Sequence, residues 1–392
     1  MEKPLIVQKF GGTSVESIES IQRVAKHIIQ AKEAGYHVVV VVSAMAGETN
    51  RLQRLAHDID AVPSARELDV LLSAGEQVSM ALVAMMLNKW GYSASSLTGG
   101  QANIVTDDRY NNATILDIGV ERIMDLLSQD HIVIVAGFQG VNKQGDITTL
   151  GRGGSDTTAV ALAGALNAQE CQIYTDVDGV YTCDPRIVSQ AQKLSVVDFP
   201  SMKLMAQCGA KVLHLPSVCY AEKHRVPLRV LSTFQPGKGT LIKGDKPRGE
   251  ICGLAIQEAL TLVTFAPDVC DSVLEQCQLL GIDVGNVIRD TKWAGVAIKQ
   301  GACARLMLVF GDKIRNTKPV SLLTMVGLEA SHFVHAAHTC LSNVNIEILY
   351  TFTAAEALML LLTPCDIETA ANVLHDAFVV FSDSAAQQGV LD

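Results

Sequence analysis

Cysteine is missing from everything before Cys171, and the ten that follow include no Cys-x-x-Cys; the closest pair is Cys270 and Cys277. This placement argues against a disulfide framework, gives no support for structural zinc, and fits small buried apolar residues. No uninterrupted apolar run approaches the roughly 18 residues of a membrane span. The longest, such as Ala357–Leu362, have the length of buried strands. The opening Met1-Glu2-Lys3-Pro4-Leu5-Ile6 lacks the charged-then-apolar build of a signal peptide, so the expectation is a soluble, cytoplasmic protein. Charged residues make up only 18%, and the net charge of −10 argues against a dedicated nucleic-acid binder while leaving room for a local basic pocket for one nucleotide. Neither Gly-x-x-x-x-Gly-Lys-Ser/Thr nor Gly-x-Gly-x-x-Gly occurs, which excludes a P-loop and a dinucleotide fingerprint.

What is present is a chain of 392 residues, 48% of them apolar, enough for two or three domains with real cores and too apolar for disorder. Its first half alternates strand and helix signals. Leu5–Gln8 and the five-valine run in Val38–Ser43 read as buried strands, joined by Ile18, Ile21, Val24, Ala25, Ile28 and Ile29 at helical spacing. Thr13-x-x-Glu16 offers a capping box for that helix and Gly35 a stop. Further strands are expected at Ile132–Ala136 and Cys171–Thr175, helices at Ala65–Asn88 and Ser155–Ala168, and a closing strand pair near Leu228–Leu231 and Gly239–Ile242. The fold class is therefore α/β, a layered sandwich on a mainly parallel sheet.

Gly237-Lys238-Gly239 and Lys243-Gly244-Asp245-Lys246-Pro247-Arg248-Gly249 then read as a linker. Beyond it Thr261-Leu-Val-Thr-Phe265 recurs as Ser321-Leu-Leu-Thr-Met325, and Gly281–Val287 as Asn343–Leu349, about 60 residues later. Each half reads strand, helix, strand, strand, helix, which gives tandem ferredoxin-like βαββαβ modules. The expected domains are 1–243, 250–318 and 319–392.

Three segments could carry chemistry. Lys9-Phe10-Gly11-Gly12-Thr13-Ser14 sits where a strand turns into a helix, so its glycine N–H groups, the helix N-terminus and Lys9 could face phosphate; it could equally be a tight turn with a surface lysine. Gly151-Arg152-Gly153-Gly154-Ser155-Asp156-Thr157-Thr158 suits an anionic ligand through one Arg fork at a helix start, or is a flexible loop capped by Ser155 or Asp156. Thr175-Asp176-Val177-Asp178-Gly179-Val180-Tyr181, continuing to Arg186, could hold a sugar hydroxyl, a base and phosphate, though Asp-Gly and Asp-Pro turns explain it as well.

Together with Val42-Ser43-Ala44-Met45-Ala46-Gly47-Glu48-Thr49-Asn50, Ser73-Ala74-Gly75-Glu76 and Gly209-Ala210-Lys211-Val212-Leu213-His214, these segments occur in the order seen in aspartate kinases, which this sequence closely resembles. The resemblance implies an amino acid kinase domain followed by two ACT domains. It implies transfer of the γ-phosphoryl of MgATP to the β-carboxylate of L-aspartate, giving 4-phospho-L-aspartate, at the head of aspartate-family amino-acid synthesis. The length resembles the monofunctional form. A carboxylate acceptor with a reference pKa of about 3.9 needs no general base, so positive charge and positioning are what the site must supply.

By the same resemblance Lys9 contacts the transferring phosphoryl group with Asp156, and Gly11 and Gly12 line the nucleotide side. Ser43 and Thr49 belong to the substrate loop, with Met45 where a serine is common. Glu76 pairs with the substrate ammonium, and Arg152 grips a substrate carboxylate supported by Ser155 and Asp156. Thr175, Asp176, Tyr181, Arg186 and Lys211 form the nucleotide set, and His214 is structural. The cofactors implied are ATP and Mg2+, with no metal assigned to protein side chains. A homodimer and an amino-acid effector at the ACT modules are also implied. The loop Ala266–Ser272 lacks the family's Pro-Gly, and Tyr350–Glu356 departs from its Thr-Ser-Glu pattern, so weakened or altered lysine or threonine feedback is expected. The alternatives weighed are a kinase for another acidic amino acid and a non-catalytic effector-binding subunit.

Overall fold

The computed structural model describes residues 3–210, 212–245 and 251–379. They divide into two compact units. The first holds the described residues up to Val180, Lys193–Lys203 and those from Val212 to the linker; the second holds Tyr181–Gln192, the described part of 204–211 and the residues beyond the linker. The first unit thus differs from the expected continuous domain 1–243. The cause is local: the Leu254 N–H donates to the Thr182 carbonyl at 2.6 Å, and a Cβ at Gly209 would lie 2.3 Å from the Ile256 oxygen. Both segments are built into the second unit.

The chain order in the first unit is β1 (Leu5–Phe10), α1 (Ile18–Glu33), β2 (His37–Val42), α2 (Glu48–Ile59), α3 (Ala65–Lys89), β3 (Ala94–Leu97), β4 (Ile104–Thr106), β5 (Ile115–Ile118), α4 (Glu121–Ser128), β6 (Ile132–Ala136), β7 (Gln139–Val141), β8 (Ile147–Thr149), α5 (Gly154–Ala165), β9 (Glu170–Thr175) and β10 (Val196–Val197), then α6 (Phe199–Gln207), α7 (Leu215–His224), β11 (Leu228–Ser232) and β12 (Thr240–Ile242). Eight strands form one sheet in the order β10-β12-β11-β9-β1-β2-β6-β3, parallel except for β11 against β12. Val38–Val42 lie at its centre, all fully buried, because a strand covered on both faces needs no polar side. Each such valine contributes about 1.5 kcal/mol or more relative to exposure.

Alternation along the strands decides which helix each side chain meets. Ile6, Phe10, Val38, Val40 and Val42 share a core with Ile21, Val24 and Ile28 of α1 and Met80, Val83 and Leu87 of α3. Val7, Lys9, Val39 and Val41 take the opposite face, where α5 packs. The α1 cap differs from the expected capping box: Gly12–Val15 is a short 3-10 turn, and the Ser17 hydroxyl accepts the Ser20 N–H at 3.1 Å. Thr13 lies inside the turn, four residues before the residue that caps. α3 was not anticipated as a candidate span, yet it is long and apolar enough by composition, with mean hydropathy 1.7 over an 18-residue window. Half of that window is buried in the fold, and the helix carries the buried acids Asp69 and Glu76. A second, four-stranded sheet β5-β4-β7-β8 went unseen in the sequence because its strands are three or four residues long.

The second unit is one antiparallel sheet. It comprises β13 (Gly253–Phe265), α8 (Cys270–Leu279), β14 (Val284–Arg289), β15 (Ala294–Lys299), α9 (Gln300–Phe310), β16 (Ile314–Val326), α10 (Val334–Asn343), β17 (Tyr350–Ala354), β18 (Ala357–Leu362) and α11 (Ile367–Phe378). The strand order is β14-β15-β13-β16-β18-β17. Two ferredoxin-like modules are present, but they interlock rather than follow one another. Leu260–Phe265 is the first strand of one module and pairs with β15, while Gly253–Gln257 pairs with Leu322–Val326 and supplies the last strand of the other. The expected boundary at 318/319 therefore falls inside β16, whose two halves serve different modules. The register breaks between Gln257 and Leu260, where Ala259 has φ 55°, and this bulge separates the two roles of β13. The expected end of the second module at 392 lies outside the described residues.

Candidate active site

The carboxyl ends of β9, β1, β2 and β6 lie side by side, in the place where parallel α/β sheets bind ligands. The turns leaving them are tied together by backbone bonds. Gly11 N–H donates to Tyr174 O at 3.3 Å, Ser43 N–H to Phe10 O at 3.1 Å, Ala46 N–H to Gly12 O at 3.2 Å and Gly137 N–H to Val42 O at 3.0 Å. One expectation changes here: the Gly11 N–H is taken up by Tyr174 rather than offered to a phosphate. Gly12 opens the 3-10 turn that follows.

Lys9 is the last-but-one residue of β1 and points to the α5 face. There its Nζ meets Asp156 Oδ1 at 2.6 Å, with the two side chains 12% and 14% exposed. Asp156 stands in the first turn of α5, where the helix N-terminus favours negative charge. The pair joins a sheet end to a helix start and presents one cation at the mouth of the site.

Glu76 is 3% exposed on α3. Its Oε1 accepts the Ala44 N–H at 3.0 Å, while Oε2 is buried with no hydrogen-bond partner among the described residues. The preceding Gly75 makes this approach possible, since a Cβ there would lie 2.8 Å from the Ala44 Cβ. Burial pushes the Glu76 carboxyl up to about 7, opposed by the Ala44 bond. A buried carboxylate with a free oxygen is suited to receive a cation.

Arg152 is exposed and has no partner among the described residues. It sits in the turn before α5, whose shape is set by Gly153 at φ +69°; a Cβ at Gly153 would lie 2.2 Å from His214 Cγ. His214 precedes α7, its carbonyl accepting the Ser217 Oγ–H at 2.6 Å. Ser155 is buried against Gly137, where a Cβ would fall 2.7 Å from its Oγ. Ser43, Met45 and Thr49 are half-buried on the turn after β2 and the first turn of α2. These side chains and the Lys9 pair belong to the first unit.

The nucleotide set divides. Thr175 Oγ1 donates to Asp176 Oδ1 at 3.1 Å at the end of β9, in the first unit. Tyr181 and Arg186 belong to the second unit, Arg186 bridged to Asp184 at 2.6 Å with its side chain 83% exposed. Lys211 lies outside the described residues.

Asp69 escaped the sequence reading. It is fully buried and accepts Asn111 N–H at 2.9 Å, Thr149 N–H at 2.9 Å and Thr149 Oγ1 at 2.6 Å. Burial raises its pKa and these donors oppose the rise. It fastens the loop before β5 to the end of β8, two residues before Gly151. The available signal was its place on the buried stripe of α3 with Leu72, Ser73 and Glu76. Phe138 was also missed. Its φ of 68° is rare for a bulky residue, and it is pinned by its N–H to Thr158 Oγ1 at 3.1 Å beside the Gly137–Ser155 contact.

With this geometry in place, comparison with known proteins is informative. The amino acid kinase family model matches residues 4–232. The aspartate kinase of Pseudomonas putida is 51% identical over 295 residues, which cover 73% of this chain and 72% of that protein. Escherichia coli aspartokinase III in complex with aspartate and ADP (R-state) is 25% identical with a TM-score of 0.76, covering 96% of this chain and 100% of that one. The same enzyme in complex with lysine and aspartate (T-state) gives 25% identity, TM-score 0.79 and the same coverage. The chain belongs to the amino acid kinase family and, within it, to the aspartate kinases, enzymes that phosphorylate aspartate with ATP.

Proposed function

We propose that Lys9 draws the γ-phosphoryl of ATP toward an aspartate held by Glu76 and Arg152, the β-carboxylate attacking phosphorus and ADP leaving. The observation that carries this reading is the short Lys9–Asp156 pair at the strand ends. The acceptor arrives ionised, so nothing has to remove its proton; the barrier lies in bringing two anions together, which one positioned cation lowers. The unpaired Glu76 Oε2 would receive the substrate ammonium and the exposed Arg152 its α-carboxylate, with Ser43, Thr49 and Ser155 completing the substrate side. Asp156 fixes Lys9 and is the acid nearest the transferring group. Gly11, Gly12, Thr175, Asp176, Tyr181, Arg186 and Lys211 are assigned to the nucleotide by resemblance.

Mg2+ fits this donor set as an ion carried on the nucleotide. Among the described residues no three His, Cys, Asp or Glu side chains gather into a metal cage, while Asp156 offers one carboxylate beside the phosphate position. When bound, the ion supplies charge neutralisation on the phosphates.

The domains are read as an amino acid kinase domain with two ACT modules. β14 and β17 are the outer strands of the second unit's sheet and support a homodimer formed through the modules. An amino-acid effector is proposed there, with lysine or threonine feedback weakened by the Ala266–Ser272 loop. A cytoplasmic location is proposed with these substrates. The deciding experiment incubates the protein with MgATP, hydroxylamine and either L-aspartate or L-glutamate. Aspartyl hydroxamate from aspartate alone is expected, and an equal yield from glutamate would overturn the substrate assignment.

A further inference from the structure

Residues 181–192 are held by the second module. Thr182, 1% exposed, gives its carbonyl to the Leu254 N–H of β13 at 2.6 Å, and a Cβ at Gly253 would lie 2.6 Å from that same oxygen. The Thr182 Oγ1 accepts the Gln192 N–H at 3.0 Å and lies 2.9 Å from Nε2 of His375 on α11, itself 2% exposed. One turn earlier on α11, Asn372 Nδ2 donates to the Ile187 carbonyl at 2.9 Å. Cys183 and Val188 are buried in the core formed by Leu254, Leu323, Leu358 and Leu374.

We infer that Thr182 and Asn372, with His375, are positioning residues for ATP: through them α11 fixes the turn that carries Tyr181 and Arg186. The inference rests on the reading of those two as nucleotide contacts. Thr182 is the chain neighbour of Tyr181, and Ile187 is the chain neighbour of Arg186. One bond from α11 therefore holds the Thr182 hydroxyl and the other the Ile187 carbonyl, each immediately beside a contact, while the Arg186 side chain, bridged to Asp184, is 83% exposed. A contact displaced by about an ångström loses much of its value, so loosening either clamp weakens nucleotide binding and leaves the aspartate side alone.

The test compares steady-state kinetics of the full-length enzyme with Thr182→Val, Asn372→Ala, Thr182→Ser and Glu368→Ala, the last an exposed α11 side chain with no bond to the turn. Loss of one buried hydrogen bond corresponds to about 3- to 10-fold. The KM for ATP should rise by that factor in Thr182→Val and Asn372→Ala, with kcat and the KM for aspartate within about twofold of wild type. Thr182→Ser and Glu368→Ala should match wild type. Arg186→Ala separates the two layers of the argument. If it raises the KM for ATP while the clamp variants do not, or if they raise both KM values equally, the positioning role is overturned. If Arg186→Ala and Tyr181→Phe leave ATP kinetics unchanged, the nucleotide reading fails and the inference falls with it. Should Thr182→Val not fold, Asn372→Ala at its half-buried position decides alone.

Discussion

Lys9 Nζ and Asp156 Oδ1 stand 2.6 Å apart, joining the end of β1 to the first turn of α5. The pair exists because strand alternation turns Lys9 toward α5 while the glycine turn before that helix brings Asp156 over the sheet end. A carboxylate there holds the ammonium in one place and, on the proposed reading, would yield it to an arriving phosphoryl oxygen.

On the proposed reading, replacing Lys9 by alanine removes the cation directed at the transferring group. The expected result is a fall in kcat of about 100- to 1,000-fold, the size found when a single oxyanion-directed donor is removed. Asp156 is left poorly paired at about 1–3 kcal/mol, so the melting temperature drops by several degrees without loss of the fold. Turnover near wild type in a folded Lys9→Ala enzyme would falsify its role.

If Glu76 receives the substrate ammonium as proposed, aspartate binding is pH-dependent. Its carboxyl is raised from 4.5 to about 7 by burial, so below about pH 7 it becomes protonated and cannot hold an ammonium. The KM for aspartate should climb as pH falls from 8 to 6, with kcat moving less, and Glu76→Gln should flatten that profile. Stability runs the other way. Between pH 4.5 and about 7 the folded state keeps a proton that the unfolded state has shed, so this group's contribution is lost as pH rises through that window. The stability of wild type relative to Glu76→Gln should decline from pH 5 to pH 8, by about 3 kcal/mol at most. A constant difference across that range counts against the buried, uncompensated carboxylate.

The parallel sheet was legible because its evidence is local: five consecutive valines, helical spacing from Ile18 to Ile29, and glycine turns at strand ends. Lys9, Asp156 and Glu76 were legible as candidates only through a set of motifs, since nothing in the sequence brings residues 9, 76 and 156 together. What stayed hidden was non-local or small. The strand Gly253–Gln257 pairs with Leu322–Val326 across a whole intervening module, which no tandem repeat reveals. Ser17 replaced Thr13 as the cap because a 3-10 turn intervenes. Tyr181 and Arg186 read as a continuation of β9, although the fold of the second unit claims them through Leu254 and α11.

Gly153 separates backbone strain from steric displacement. Gly153→Ala places a Cβ 2.2 Å from His214 Cγ at φ +69°, whereas Gly35→Ala meets nothing within 4 Å at φ +93°. Both pay left-handed strain of about 1–2 kcal/mol, so both lower the denaturation midpoint, Gly153→Ala further because of its clash. Only Gly153→Ala must also move the turn that carries Arg152, so it alone should raise the KM for aspartate, by tenfold or more. Equal kinetics for the two variants would show that the turn does not set the Arg152 position.

Interlocking of the two modules predicts which fragments fold. A fragment of residues 319–379 contains every expected element of the second module, yet it lacks Gly253–Gln257, the strand that bonds Leu322–Val326. That half of β16 would then expose a row of unpaired backbone groups, and Leu254 would leave the core it shares with Leu323, Leu358 and Leu374. A fragment of residues 251–379 restores the strand, though it loses the core contributions of Cys183 and Val188 and the bonds that Thr182 and Ile187 make to Leu254, His375 and Asn372. Cooperative thermal unfolding by circular dichroism, together with slow amide exchange in β16 and β18, should be found for 251–379 and not for 319–379. Cooperative unfolding of the shorter fragment would mean that β18 alone suffices to order β16, and the strand exchange would be a detail of packing rather than a condition of the fold.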